Sequence, residues 1–220
     1  MQLITDIRTH LASKADPERA RGQQAYMKSE MPFRGVPVPE VRKCVRTLAK
    51  RYTLSLTDIE STAVTLWNQA QFREERYAAL TILGFTSARG QWQFVDLYEH
   101  MAVTGAWWDF VDELAHRIGD LLDACPNQAR ARVLSWSVHE NMWLRRLAIE
   151  SQLQRRDRTD TDLLAQVIEP NLEDREFFIR KAIGWALRDY AFANPDWVQS
   201  FVDSHKLSPL SRKEALKHLS

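Results

Sequence analysis

Apolar residues recur at i, i+3, i+4 and i+7 in nearly every segment of this chain, and strict apolar alternation is scarce. The pattern therefore predicts helix throughout. Prolines fall between the periodic runs, at Pro17, at Pro32, Pro37 and Pro39, and at Pro126, Pro170, Pro195 and Pro209, which places each beside a helix boundary. No stretch has the composition of a flexible interdomain linker. Polar residues leading into an apolar helical run recur at Arg42, Arg76, Asp112, Arg146 and Lys181, in steps of 34, 36, 34 and 35 residues. A period near 35 in an all-helical chain is the mark of stacked helix pairs, each burying an apolar face on the next and curving into a solenoid of the HEAT, armadillo or tetratricopeptide kind. The second helices are then expected to line the concave side with cations, interrupted by the carboxylate of Asp112. Pairing of these charges between neighbouring repeats is the competing explanation.

Helical phase singles out two tryptophans. In a helix over 107–122, Trp107, Phe110, Val111, Leu114, Ile118, Leu121 and Leu122 fall on one side at 100° per residue, and Trp108, Asp109, Asp112 and His116 on the other. Trp107 is expected in the core and Trp108 outside it. In a helix over 177–191 the apolar set runs from Phe178 and Ile179 to Leu187 and Tyr190, while Lys181, Trp185 and Arg188 share the opposite face at i, i+4, i+7. The helix carrying Arg146 has apolar residues on two sides, with Trp143, Arg146 and Glu150 between them.

An exposed indole among cations suits a ligand with a flat or CH-rich body and negative charge. Nucleic acid fits, with phosphates on Lys and Arg and sugars or bases on the rings. A cationic group would also be drawn to two indole faces, by roughly 0.5–2 kcal/mol each. A single carboxylate in that setting stabilises positive charge developing on a sugar. Ordinary glycosidases add an acid for the leaving group; Asp109 is the candidate, and a leaving group that is already cationic needs none. The series Asp112, His116 and Asp120 at i, i+4, i+8 raises a metal site or an acid–base pair, but ligands on one helix converge poorly, and local His–Asp pairing is the reading we adopt.

Composition is that of an ordinary globular chain: 220 residues, 30 Lys and Arg against 29 Asp and Glu, 45% hydrophobic. It argues against disorder and needs no metal or disulfide scaffold, since a chain of this length buries roughly 70–75% of its unfolded surface. The net charge of +1 is unevenly spread: residues 1–60 hold 11 basic and 7 acidic side chains, 61–129 hold 4 and 9, and 130–220 hold 15 and 13. Such a chain can present a local positive surface, though charge by itself does not name the partner. Cys44 and Cys125 have no partner at zinc or CxxC spacing and read as reduced thiols of an intracellular protein. The start, MQLITDIRTHL, lacks the apolar core of a signal peptide, and no apolar run approaches the ~20 residues of a membrane span. A soluble, cytoplasmic protein is expected.

The segments AWWDFVDELA (106–115), NMWLRRLAI (141–149) and FFIRKAIGWALRDYA (177–191), with YMKSEMPFRGVPVPEVRK (26–43), LWNQAQFREERYAAL (66–80) and LSPLSRKEALKHL (207–219), resemble the bacterial AlkD-type DNA alkylation-repair glycosylases. The resemblance spans about residues 20–219. It implies one domain over 1–220, a right-handed α-solenoid of HEAT-like repeats with a concave basic groove for duplex DNA. It also implies excision of cationic N-alkylated purines in base excision repair, without flipping of the base and without metal or cofactor. Carried over, the catalytic aspartate falls on Asp112 and the essential arginine on Arg146, which would fix a phosphate or orient Asp112. The sugar-contacting tryptophans fall on Trp108 and Trp185, and a position near the lesion on Tyr26. Lys181, Arg188 and Arg76 complete the expected DNA contacts, and a monomer is expected. Phe110 and His116 depart from the family pattern. A non-enzymatic binder of unusual DNA structures and a protein-binding scaffold are the rival readings, and neither gains from an anion facing phosphate.

Overall fold

The structure, a computed structural model, describes residues 2–219. Among the described residues there are thirteen α-helices and no strand, with short 3-10 turns at Trp92–Phe94, Arg156–Arg158 and Glu169–Asn171. Among the described residues no helix is long and apolar enough to cross a membrane. The chain divides into two compact units, Met1–Arg89 and Gly90–Ser220.

The helix starts follow local chemistry. Pro17, Pro126, Pro195 and Pro209 are the first residues of their helices, where a missing N–H costs nothing. Side chains of Asp16, Ser55, Asn141, Asp160, Asn194 and Ser208 accept from backbone N–H groups of the first turn, and Ser55 with Asp58 makes a reciprocal capping box.

The first unit contains α1 (Gln2–Ser13), α2 (Pro17–Met27), α3 (Val38–Ala49), α4 (Leu56–Asn68) and α5 (Arg73–Leu83). Helices α1, α3, α4 and α5 pack together around Ile7, Val45, Leu66 and Ile82, all fully buried. Helix α2 is polar and buries only Met27. The connection after it is pinned by Glu74, a fully buried side chain whose carboxylate accepts from the backbone N–H groups of Arg34, Gly35 and Val36 at 2.9–3.1 Å. Gly35 is required there: its φ is +88°, and a Cβ would lie 2.1 Å from the Asp16 carbonyl oxygen.

The second unit contains α6 (Val95–Gly105), α7 (Trp108–Ala124), α8 (Pro126–Ser137), α9 (Met142–Glu150), α10 (Thr161–Ile168), α11 (Phe177–Ala191), α12 (Pro195–Ser204) and α13 (Pro209–Ala215). Helices α6 with α7 and α8 with α9 form packed hairpins, and alternate helices α7, α9, α11 and α13 contact one another in succession. The expected periodicity is thus a row of helices side by side. Helix α9 is the most enclosed of this unit: all of its residues except Met142 and Arg145 are buried, among α6, α7, α8, α10 and α11. It therefore has no clean polar face.

Helices α11 and α13 approach closely at Gly184, where a Cβ would lie 2.5 Å from Cβ of Glu214 and 3.0 Å from the Ser211 carbonyl oxygen. Gly184→Ala is therefore expected to cost about 1–3 kcal/mol by forcing the helices apart, a fall in melting temperature of several degrees by calorimetry.

Candidate functional site

The site is built on the row α7, α9, α11 and α13. Asp112 stands on α7 and projects toward α9, where Arg146 meets it with Nε at 2.9 Å and Nη2 at 2.8 Å, both on Oδ1. Nη1 of Arg146 donates to the Phe178 carbonyl oxygen of α11 at 2.7 Å. Nη2 also lies 2.8 Å from Oε1 of Glu150, one helical turn along α9. One guanidinium thus joins three helices and two carboxyl groups. Arg146 is 1% exposed and Glu150 0%, while the Asp112 side chain keeps 22% of its surface open.

This geometry sets the charge. Burial drives the Glu150 carboxyl well above the ordinary carboxylate range, the charge of Asp112 drives it further, and Arg146 opposes both. Burial also raises Asp112, against the charge of Arg146 and hydrogen bonds from Glu150 and Arg146, with Asp109 adding an upward push. Two carboxyl groups thus face one cation in an enclosed space, and each raises the affinity of the cluster for a proton.

Trp185, on α11, has three cationic centres within 6 Å of its ring centroid: Lys181 Nζ at 5.1 Å, Arg146 Cζ at 5.5 Å and Arg188 Cζ at 5.8 Å. Its Nε1 donates to Oε2 of Glu214 at 3.2 Å. Glu214, on α13, also receives Lys181 at 2.9 Å and Arg188 at 2.9 Å, and Lys181 leads the causes that hold its carboxyl below the ordinary value. Lys181, Arg188 and Glu214 together carry one net positive charge beside the ring. Trp185 and Trp108 are both half-buried, and Trp108 opens α7 one turn before Asp112.

Asp112, Arg146, Lys181, Trp185 and Arg188 therefore come together as the helical phase placed them. Their surroundings differ from the sequence reading in three respects. Arg146 is interior and does not line a surface. Lys181 and Arg188, expected among the open cations, are engaged by Glu214; pairing between repeats, the competing explanation of the ladder, describes both Asp112–Arg146 and Lys181–Glu214. Trp107, expected within the core, is half-buried in extended backbone just before α7, its ring against Trp143 and Phe178 at 6.1 and 5.5 Å. Tyr26 and Arg76 belong to the first unit. Tyr26 is 76% exposed at the end of α2, and the half-buried Arg76 guanidinium lies over the Trp67 ring at 4.7 Å. Asp120, a possible partner of His116, is held by Arg117 at 3.3 Å, and among the described residues no three His, Cys, Asp or Glu side chains are arranged to hold a metal ion.

Glu150 and Glu214 were not singled out as site residues. Both carry a signal: Glu150 follows Arg146 by four residues, and Glu214 follows Lys181 by 33, extending the repeat of about 35 by one more step.

The model of the DNA alkylation repair enzyme family matches residues 7–219. The chain belongs to that family. Among solved structures, a predicted DNA alkylation repair enzyme from Enterococcus faecalis is 31% identical, with a TM-score of 0.81 over 94% of this chain and 97% of that one. AlkD2 from Streptococcus mutans shares the fold at 20% identity and a TM-score of 0.65, over 92% of this chain and 97% of that one. So does the Pseudomonas fluorescens alkylpurine DNA glycosylase AlkC, solved bound to DNA containing an abasic site analog, at 17% identity and a TM-score of 0.52, over 99% of this chain and 61% of that one. No curated protein matches the chain by sequence.

Proposed function

We propose that this member of the DNA alkylation repair enzyme family is a monofunctional glycosylase that releases cationic N-alkylated purines, of the 3-methyladenine and 7-methylguanine type, from duplex DNA. The observation that carries the reading is the Asp112 carboxylate, part-open to solvent, anchored through one oxygen by Arg146, with the half-buried Trp108 on its own helix.

In the proposed reaction the bond between C1′ and the purine nitrogen breaks and its electron pair stays with the base. The alkylated base is thereby neutralised, so no general acid is needed. Positive charge passes to the deoxyribose, where fixed Asp112 stabilises it at no cost of reorganisation. Water adds to C1′ and gives up a proton to the solvent, leaving an abasic site. Trp108 and Trp185 would pack on the sugar, and the net positive charge of Lys181, Arg188 and Glu214 would meet a backbone phosphate. Tyr26 and Arg76 remain proposed DNA contacts on the first unit. No cofactor enters the scheme, and it requires one subunit. The base need not leave the helix, because the groups invoked act on the sugar.

The test is release of bases from N-methylated duplex DNA by the purified protein. We expect free 7-methylguanine and 3-methyladenine, and no release of uracil or hypoxanthine, which carry no positive charge and are far poorer leaving groups. Tight, salt-sensitive DNA binding with no base release would instead make the chain a binder of unusual DNA structures.

A further inference from the structure

We propose that Glu150 is a positioning residue that holds a proton and donates it as a hydrogen bond to Asp112, keeping Asp112 the anion of the pair. The starting observation is an orphan. Glu150 is fully buried, yet neither of its oxygens receives a well-aligned hydrogen bond from another described residue, and Nη2 of Arg146 is a charge contact at 2.8 Å. A buried acceptor left in that state costs free energy. The difficulty disappears when the group is a donor: Oε1 of Glu150 and Oδ1 of Asp112 each lie 2.8 Å from the same Nη2 of Arg146, and two carboxyls gathered on one nitrogen share a hydrogen bond only when one bears a proton.

Which carboxyl bears it follows from the surroundings. Asp112 has both Nε and Nη2 of Arg146 on one oxygen and part of its surface open, whereas Glu150 has only Nη2 and no solvent. Several charged groups of the helices packed around α9 are engaged elsewhere. Asp109 of α7 acts on Asp112, and Lys181 and Arg188 of α11 are held by Glu214. Glu99 of α6 is paired with Arg132 of α8, and Asp160 at the cap of α10 with Arg130 of α8. None of these offers Glu150 a second cation. Protonated Glu150, anionic Asp112 and Arg146 together make a neutral unit whose negative end faces outward at Asp112. The donated bond also lowers the affinity of Asp112 for a proton, which suits a group that must stay charged while it stabilises a cationic sugar. The role in catalysis rests on the function proposed above; the protonation state does not.

Two experiments separate these. The first uses chemical denaturation of the wild type and Glu150→Gln between pH 5 and pH 8. A carboxyl whose affinity for the proton is raised in the fold stabilises fully below its ordinary value and progressively less as pH rises. Glu150→Gln is neutral at every pH and keeps a donor for Asp112. Its stability relative to the wild type should therefore increase steadily with pH. A variant less stable than the wild type by a constant margin would mean that Glu150 is the ionised counter-charge of Arg146, and would overturn the proposal. The second compares pH–rate profiles of base release. Glu150→Leu removes the donor and should lower the rate by about tenfold or more, with the acidic limb moved to higher pH; Glu150→Gln should recover most of that loss and return the limb. An acidic limb moved to lower pH in Glu150→Leu would show that a like charge had been removed, and would overturn the proposal. Should Glu150→Leu not fold, the denaturation series decides alone. A wild type that releases no base at all defeats the proposed function and leaves that series valid.

Discussion

Arg146→Met is expected to lower the stability of the fold by about 3–5 kcal/mol and to abolish base release, although Asp112 is untouched. The substitution removes the cation between two carboxyl groups, one fully enclosed, and takes a donor from the Phe178 carbonyl oxygen. The two carboxyls then have no counter-charge. Each then binds a proton more readily than in the wild type, because burial already pushes each upward and Arg146 was the main opposing charge on Asp112. A protonated Asp112 cannot stabilise a cationic sugar. Calorimetry should show a fall in melting temperature of roughly 10 °C or more, with no release in the remaining folded fraction. A stable variant of unchanged activity would remove Arg146 from the account. Arg146→Lys should recover little, since one ammonium cannot reproduce the planar fork that reaches Asp112, Glu150 and Phe178 together.

Asp112→Asn is expected to behave in the opposite way: intact fold, lost chemistry. Without the charge of Asp112, Glu150 loses one of the causes that raise its affinity for the proton. It can then ionise and balance Arg146, so the unit remains neutral. Asparagine fills nearly the same volume and its carbonyl oxygen can accept from Arg146. The melting temperature should stay within a few degrees of the wild type, and affinity for alkylated duplex DNA should be retained or increased slightly, because an anion facing phosphate has been removed. A variant that unfolded or lost DNA binding would show that Asp112 serves the fold and not the reaction.

Much of this was legible in the chain. The interval near 35 residues placed Arg42, Arg76, Asp112, Arg146 and Lys181 on alternate helices, α3, α5, α7, α9 and α11. The phase of α11 separated Trp185 from the buried Ile179, Ile183 and Leu187. These succeeded because α7 and α11 bury one stripe each, so amphipathic periodicity reports position directly. Helix α9 is buried at every residue except Met142 and Arg145, and a helix so nearly without a solvent face has little phase to read. For that reason the sequence could not tell that Arg146 is interior, nor that Glu150, its neighbour at i+4, completes the charge unit. Lys181 and Arg188 read as open cations because their neutralising carboxylate, Glu214, lies 33 and 26 residues away on another helix. Spacing predicts which face a charge occupies, not which partner has been brought against it.

The central claim is that the Asp112 anion drives cleavage of the glycosidic bond. Its most direct test is the single-turnover rate of 7-methylguanine release from one saturated duplex, measured for the wild type and Asp112→Asn at neutral pH. Removing a fixed charge aimed at the transition state should slow release by about two to three orders of magnitude, with DNA occupancy equal in the two reactions. Equal rates at equal occupancy would contradict the account.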